Sequence, residues 1–418
     1  MLYTIFDKIL LDELKPALGC TEPIALAYAA AVAKATLDDF PQKVIIECSG
    51  NIIKNVMGVT VPNSKGMKGI EAACLLGIVG GDANKVLEVL SEINDDHISK
   101  TKELLQTNIC EVILKEGIAG LYISITLIKD NNSSQAVILN CHNEITQLYK
   151  NGKLIQNNEV LLSENKDLRE HLSLEAILDY AENADLTKVK DVILEQINLN
   201  VAIAEEGLKN NWGLNVGSTL LKYNKNDVKT RAKALASAGS DARMAGCSLP
   251  VVINSGSGNQ GMTVSLPVYE YAKELKVSEE EMIKALVVSN LVAIHQKRFI
   301  GSLSAYCGAV SAAAAASAAI TYLHTKDINT IAAAITNTLA IAGGIVCDGA
   351  KASCAGKIAA SLDSAILGYE LAYGEGLAAE SGDGLVKDTI EKTIRTFGKV
   401  GKDGMKETDI EILNLMIK

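Results

Sequence analysis

Two long uncharged segments, residues 299–323 and 328–347, constrain the fold more than any other feature of this sequence. Each is long enough to cross a bilayer as a helix, so a membrane hairpin is one structure that they permit. Their residues are mostly Ala, Ser, Gly and Thr, however, and Leu and Phe, which drive membrane insertion, are scarce. Because small side chains let helices approach closely, the segments predict two helices packed in the core of a globular protein.

Three cysteines adjoin these two segments. Cys307 lies at the start of the first predicted helix, Cys347 ends the second, and Cys354 follows after six intervening residues in IVCDGAKASCAGK. An antiparallel pair of helices would bring Cys307 and Cys347 together, and the short loop would add Cys354. Three soft sulfur ligands without a histidine suggest an iron–sulfur cluster more than zinc. Spacing alone is weak evidence for such a cluster, and a purely structural role stays open.

The hydrophobic pattern of the 418 residues predicts an α+β fold in two domains. Residues 1–165 are expected to hold two N-terminal helices, with GCTEP between them, and then a smaller α+β domain with an antiparallel sheet. The tight-turn pair Asn151-Gly152 marks a hairpin in that domain, and residues 82–105 are predicted to be helical. Residues 166–418 are predicted to form a mainly helical catalytic domain that carries the three cysteines.

Charge and cysteine content exclude several classes of protein. The net charge of −10, without a Lys/Arg-rich run, argues against nucleic acid as a partner. Acidic residues at Asp7, Asp12 and Glu13 interrupt the apolar N-terminus, which predicts an amphipathic helix in place of a secretory signal. Nine cysteines without an export signal indicate a reducing, cytoplasmic location. The sequence leaves the oligomeric state open and is compatible with a homo-oligomer.

The glycine-rich stretch SGSGNQG, residues 255–261, has the G-x-G-x-x-G spacing of a dinucleotide-binding loop. Pro267 is predicted to interrupt the next helix early, and the following acidic run begins another helix, so the rest of a dinucleotide fold is missing. Successive glycines expose backbone N–H groups, to which Asn259 and Gln260 add amide donors. The stretch therefore predicts a cradle for one anion, such as a carboxylate.

Cys20 lies in GCTEP, directly before a predicted helix. Thr21 and Glu22 are capping candidates, and Pro23 suits the first helical turn. The helix dipole at this place is expected to lower the pKa of the Cys20 thiol, and a thiolate there could act as a base or a nucleophile. The structural alternative is a small residue that merely lets the chain enter the helix.

Five segments along the chain form one further pattern: ALGCTEPIALAYAAA, SGNIIKNVMGV, SDARMAGC followed by SGSGNQG, LSAYCGAVSAA and CDGAKASCAGKIA. In the same order they resemble the signature segments of the L-cysteine desulfidases, which are related to the iron–sulfur L-serine dehydratases. The resemblance runs through nearly the whole chain. It implies a [4Fe-4S] cluster held by Cys307, Cys347 and Cys354, with Cys20 as the catalytic base.

The reaction that this resemblance implies is β-elimination of the small molecule L-cysteine to pyruvate, ammonia and hydrogen sulfide. Asn259 and Gln260 are expected to hold the substrate carboxylate, and Asn55, Lys54 and Arg243 either bind substrate or complete a buried polar network. Three alternatives stay open at this point: an iron–sulfur L-serine dehydratase, a non-enzymatic iron or sulfur carrier, and a membrane hairpin protein.

Overall fold

The structure, a computed structural model, combines a six-stranded sheet with a larger helical region, so the predicted α+β class is confirmed. It describes residues 2–118, 120–158, 167–301 and 303–417. The strands are β1 (Pro16–Leu18), β2 (Lys43–Cys48), β3 (Cys110–Leu114), β4 (Tyr122–Lys129), β5 (Asn132–Leu139), β6 (Gln147–Lys150), β7 (Lys153–Asn157) and β8 (Pro250–Val252).

Helices make up most of the rest of the described chain. In the first part they are α1 (Leu2–Glu13), α2 (Thr21–Leu37), α3 (Gly50–Val56), α4 (Ile70–Gly80) and α5 (Asp95–Leu104). The second part contains α6 (Leu174–Asn183), α7 (Thr187–Lys209), α8 (Val216–Asn224), α9 (Val228–Met244), α10 (Gly258–Leu275), α11 (Glu279–Ile300), α12 (Gly308–His324), α13 (Ile328–Ala342), α14 (Cys354–Tyr369), α15 (Ile390–Lys399) and α16 (Lys406–Ile417).

The larger sheet has the strand order β3-β2-β4-β5-β6-β7. Neighbouring strands are antiparallel except for β2 and β3, which are parallel. Helix α2 packs across β4 and β5, which explains why buried and more exposed residues alternate along much of these strands. The predicted hairpin is confirmed: Lys150 pairs with Lys153, and Asn151 and Gly152 have φ values of 50° and 73°.

Helices α2 and α4 cross closely because Gly77 has no side chain. A Cβ atom added there would lie 2.2 Å from the carbonyl oxygen of Ala27. We expect Gly77→Ala to lower the free energy of unfolding by roughly 1–3 kcal/mol, since the helices must move apart. In Gly356→Ala, where an added Cβ atom would have no neighbour within 4 Å, the free energy of unfolding should rise by up to about 1 kcal/mol. Denaturant unfolding of both variants measures the difference, and equal stabilities would contradict this account of the crossing.

Helix α12 is the centre of the helical region. Every residue from Ala309 to Tyr322 is buried, and the helix packs against α10, α11, α13 and α14. Its alanines and serines permit this, because each neighbouring helix can approach the backbone. Residues 308–323 of the first uncharged segment thus form a core helix, as predicted from its composition. In the described ranges, no helix has both the length and the apolar character needed to span a membrane.

The N-terminal segment connects the sheet region to the helical region. Helix α1 packs against the helical side, where the Tyr180 hydroxyl donates to Asp7 Oδ1 at 2.6 Å. The short strands β1 and β8 pair antiparallel, and α16 packs on α3 from the far end of the chain. The predicted boundary at residue 165 falls in 159–166, outside the described residues, so the two-domain division stays a prediction.

Three local predictions differ from the structure. Residues 82–105 do not form one helix, because Asn94 and His97 build a capping box that starts a new helix at Asp95. Strand β3 was not expected from its sequence, CEVIL. Pro267 does not end its helix, which continues to Leu275 while it packs against α9, α11 and α12; tertiary packing outweighs the hydrogen bond that proline cannot make.

Candidate active site

One small cavity brings together all but one of the residues that the sequence suggests for the site; the exception is Lys54. Its volume is about 110 Å³, below the 300–1,000 Å³ of sites for drug-sized ligands, which favours a small substrate. The predicted residues that line it are Cys20, Asn55, Arg243, Asn259, Gln260, Cys307, Cys347 and Cys354. Segments that are far apart in sequence thus meet at one place.

Backbone pairing holds Cys307 and Cys347 side by side. The Cys307 N–H donates to the Ile345 carbonyl at 3.1 Å, and the Cys347 N–H donates to the Ala305 carbonyl at 2.7 Å. Tyr306 lies between these two hydrogen bonds and forms an isolated antiparallel β-bridge with Val346. The pairing follows from the antiparallel arrangement of α12 and α13, and it confirms the predicted approach of these two cysteines.

Cys354 is the first residue of α14 and reaches the same cavity through a short, tightly folded loop. Asp348 forms ion pairs with Lys351 and Lys357, which tie the loop together. Gly349, with φ of 94°, packs against the backbone of α3, where a Cβ atom would lie 2.4 Å from the Lys54 carbonyl oxygen. A glycine is therefore needed to bring the loop to the cavity.

The three thiols lie close enough to influence one another electrostatically. Burial, and then the negative charge that Cys347 and Cys354 carry when they are ionised, raise the pKa of Cys307 to about 12. Burial likewise raises the pKa of Cys354, with a further contribution from Cys347. Such thiols are protonated without a metal, and a bound metal deprotonates its thiol ligands outright. The donor set is three sulfurs with no histidine among them.

Among the described residues, no three His, Cys, Asp or Glu side chains form a ready site for a single metal ion. In a four-iron cluster each thiolate binds a different iron, so the sulfur atoms need not converge on one point.

Cys20 and Glu22 form a hydrogen-bonded pair at the N-terminus of α2. The Cys20 thiol donates to Glu22 Oε2 at 2.9 Å, and the Asn55 amide donates to Glu22 Oε1 at 2.9 Å. Burial and the Glu22 charge raise the pKa of Cys20 well above its ordinary value. This direction is opposite to the one predicted from the helix dipole, because desolvation of the thiolate outweighs the dipole.

The Glu22 carboxylate is held in its charged form although it is buried. Burial raises its pKa. Three interactions act in the opposite direction and together bring the pKa below its usual value: the charge of the His142 imidazole when it is protonated, the hydrogen bond from the Cys20 thiol, and the Arg243 guanidinium. The Thr21 hydroxyl also donates to Glu22 Oε2, at 3.1 Å. Glu22 is therefore a charged hydrogen-bond acceptor placed directly beside the Cys20 thiol.

The residues predicted to bind a carboxylate lie at the start of α10. Arg243, only 2% exposed, donates from Nη1 to Asn259 Oδ1 at 3.2 Å. Gln260 packs directly over Gly308, where a Cβ atom would lie 2.7 Å from its Cδ. The Ser257 side chain caps the helix by accepting from the Gln260 N–H. The predicted loop is thus the first turn of a helix, which also favours an anion.

Several polar atoms around the cavity lack a hydrogen-bond partner within the described part of the chain. A buried polar group without a partner costs free energy, so such atoms concentrated at one cavity indicate a ligand or bound water. The atoms are Asn55 Oδ1, His142 Nε2, Arg243 Nε, Gln260 Oε1 and the Tyr306 hydroxyl.

The lining residues that were not predicted as site residues include Glu22, His142 and Lys297. Glu22 was visible in GCTEP but was interpreted only as a helix cap. His142 and Lys297 belong to no motif, since they come from the loop after β5 and from the last turns of α11. Lys297 is 7% exposed, burial lowers its pKa, and its ammonium forms no ion pair with the residues that the structure describes.

Lys54 was predicted either to bind substrate or to complete a buried network, and the structure places it in a network. Its side chain is fully buried, forms an ion pair with Asp409 of α16, and lies 3.4 Å from the Cys347 carbonyl oxygen. The C-terminal helix is thereby connected to the backbone of a cavity cysteine.

A second cavity adjoins the first. Its volume is about 490 Å³, and it shares His142, Ser255, Gly256 and Lys297 with the smaller cavity. Because these residues line both spaces, the two cavities are direct neighbours, and we refer to the larger one as the vestibule.

Comparison with known proteins supports the predicted relationship to serine dehydratases. Residues 84–414 match the family described as serine dehydratase alpha chain. UPF0597 proteins of Lachnoclostridium phytofermentans and Finegoldia magna are each 49% identical, over 417 and 415 residues, covering 100% and 99% of both chains. A UPF0597 protein of Treponema denticola is 46% identical over 421 residues, covering 99% of this chain and 97% of its own.

This family of dehydratases indicates a lyase that acts on a small molecule and carries an iron–sulfur cluster. The chain belongs to the serine dehydratase alpha chain family.

Proposed function

We propose that the protein is an L-cysteine desulfidase, a carbon–sulfur lyase that converts L-cysteine to pyruvate, ammonia and hydrogen sulfide. The observation that carries this proposal is the meeting of Cys307, Cys347 and Cys354 with the Cys20–Glu22 pair at one small cavity. A three-sulfur donor set beside a paired thiol and carboxylate supplies both a metal site and a proton acceptor.

The chemistry of the donor set, three cysteine sulfurs at one cavity without a histidine among them, supports a [4Fe-4S] cluster. Cys307, Cys347 and Cys354 are the residues that would hold it, and three protein ligands leave one iron without a protein ligand. When bound, the cluster supplies a Lewis acid for the departing sulfur of the substrate. Its negatively charged thiolates would lie beside the otherwise unpaired Lys297, which explains how that buried ammonium is tolerated.

Removal of the Cα proton is assigned to Cys20. Cys20 takes the Cα proton in its thiolate form, which has released its own proton to water, and Glu22 Oε2, 2.9 Å from the sulfur, accepts a hydrogen bond from the thiol that results. The Cα–H of an amino acid is weakly acidic, so a thiolate with a raised pKa is better suited to the task than one with a lowered pKa.

The elimination balances without a further cofactor. The Cα–H bond breaks, its electron pair forms the Cα–Cβ double bond, and the Cβ–S bond breaks with both electrons going to sulfur. The aminoacrylate product tautomerises and is hydrolysed by one water to pyruvate and ammonia, and the sulfur leaves as hydrogen sulfide after protonation. No electron enters or leaves overall.

The cavity offers complementary groups for a zwitterionic amino acid. Arg243 and Lys297 are buried cations and the amides of Asn259 and Gln260 adjoin them, so we assign these groups to the substrate carboxylate. Asn55 Oδ1, which has no partner in the described residues, can accept from the substrate ammonium. The vestibule beside His142 is the proposed entry route.

Lys297 provides a test of this binding assignment. We expect Lys297→Met to raise KM for L-cysteine about tenfold or more, with a smaller change in kcat, since a charge-assisted hydrogen bond is lost while the apolar stem remains. Lys284→Met is the matched control, because that lysine lies on the same helix and pairs with Glu280 away from the cavity. An unchanged KM in iron-loaded Lys297→Met would contradict the assignment.

The experiment that tests the function is a comparison of L-cysteine and L-serine as substrates of anaerobically prepared, iron-loaded protein. Equal amounts of pyruvate and sulfide from L-cysteine, with a much lower kcat/KM for L-serine, are expected. Pyruvate mainly from L-serine would establish the alternative, an iron–sulfur L-serine dehydratase. No pyruvate from either amino acid would favour a non-enzymatic iron or sulfur carrier and overturn the proposal.

We also propose a cytoplasmic enzyme without a nucleic-acid partner.

A further inference from the structure

A third cavity, of about 580 Å³, lies at the far end of two helices that lead away from the candidate active site. Cys307 directly precedes α12, which ends at His324, and Cys354 begins α14, which ends at Tyr369. With a rise of about 1.5 Å per residue, each helix separates its two ends by roughly 24 Å. Binding at the third cavity can therefore be examined independently of the cluster and the lyase reaction.

Aromatic rings form one wall of this cavity. His324 stacks on Tyr369 with ring centroids 5.2 Å apart, and Tyr373 lies 4.9 Å from His324 and 5.8 Å from Tyr369. Tyr271 meets the Tyr369 ring edge-on at 6.0 Å. Four aromatic side chains gathered at one cavity are notable in a protein whose aromatic content is only 4%.

Two polar atoms of these rings lack partners among the residues that the structure describes. The Tyr271 hydroxyl and His324 Nε2 are both buried and form no hydrogen bond with the described residues. The whole Tyr271 residue is only 4% exposed. Buried donors and acceptors are normally satisfied, so their position at the cavity indicates a bound ligand or water. Tyr373 also lies in a short π-helix, Glu370–Gly374, a conformation that is frequent at functional sites.

The charges around the rings indicate which kind of ligand fits. Three glutamates, Glu274, Glu370 and Glu375, line the cavity together with a single lysine, Lys229. Glu370 pairs with Lys229 and Glu274 with Arg231, whereas Glu375 forms no ion pair within the described ranges. Tyrosine faces attract cations, and the surrounding carboxylates add to that attraction.

We propose that this aromatic cavity is a second ligand site, which binds a small organic cation such as a substituted ammonium. The volume lies within the range of small-molecule sites, the rings supply cation–π contacts, and the glutamates supply the opposite charge. The unpartnered Tyr271 hydroxyl and His324 nitrogen are able to form hydrogen bonds with a polar substituent of such a cation, for example a hydroxyl group.

The test is calorimetric titration of the full-length protein with choline and, separately, with 3,3-dimethylbutan-1-ol, which has a closely similar shape without the charge. Saturable binding of choline, with much weaker binding of the neutral compound, is expected. No saturable binding of choline, or equal binding of the two compounds, overturns the proposal.

Variants locate the binding within the molecule. Tyr373→Leu keeps an apolar side chain but removes the ring, so choline should bind about tenfold more weakly. Glu375→Gln should weaken binding about threefold at low salt, since it removes one exposed charge. Tyr223→Leu is the control, because Tyr223 is 86% exposed and lies outside the cavity. Unchanged affinity in Tyr373→Leu, or an equal loss in Tyr223→Leu, contradicts the assignment.

Discussion

Cys347→Ser is expected to lose its iron and at least about 10³-fold of the pyruvate-forming activity, because catalysis needs the cluster. A serine hydroxyl is a harder and poorer ligand for iron than a thiolate. The fold should survive, since the Cys347 backbone remains bonded to Ala305 and the side chain is only half-buried. Iron and acid-labile sulfide content, together with the melting temperature, separate loss of the cluster from loss of the fold.

Cys110→Ser is the matched control for this experiment. Cys110 is also half-buried, but it lies in β3 and does not line the cavity, so its replacement should leave iron content and turnover nearly unchanged. A Cys347→Ser protein with a full complement of iron would show that the cluster is not held as proposed.

Cys20→Ser is expected to keep its iron and to lose about 10²–10⁴-fold in kcat. The serine hydroxyl has a much higher pKa than a thiol, so its ionised form is much less accessible as a base. Glu22→Gln should lower kcat as well, because a neutral amide is a weaker hydrogen-bond acceptor than the carboxylate that orients the Cys20 thiol. Since the two residues act as a pair, the double variant should lose less than the product of the single losses.

Two results would overturn the assignment of Cys20. Full activity in Cys20→Ser would show that another group removes the Cα proton. Loss of iron in that variant would instead make Cys20 a fourth cluster ligand, since it lies in the same cavity as the other three cysteines.

The sequence allowed prediction of those elements whose residue composition is compatible with few structures. The small residues of α12 can only be accommodated by close packing on several sides, and the structure buries that helix from Ala309 to Tyr322. The approach of Cys307 and Cys347 followed from the expectation that the two uncharged segments pack as an antiparallel pair of helices. The Asn151-Gly152 hairpin followed from the positive φ angles that this pair adopts readily.

Residues that depend on distant contacts could not be predicted. His142 and Lys297 belong to no recognisable sequence motif. They reach the cavity only because the loop after β5 folds onto the end of α11. The pKa of Cys20 was predicted in the wrong direction because the sequence shows the helix terminus but not the complete burial of the thiol. Pro267 was misinterpreted because packing around α10 is invisible in the sequence.

The most direct test of the central claim is pyruvate-forming activity with L-cysteine, measured as a function of iron bound per chain during anaerobic reconstitution. The account predicts no activity in iron-free protein and a rise that levels off at about four irons and four sulfides per chain. Full activity without iron, or a plateau at one iron per chain, would contradict a [4Fe-4S] lyase held by Cys307, Cys347 and Cys354.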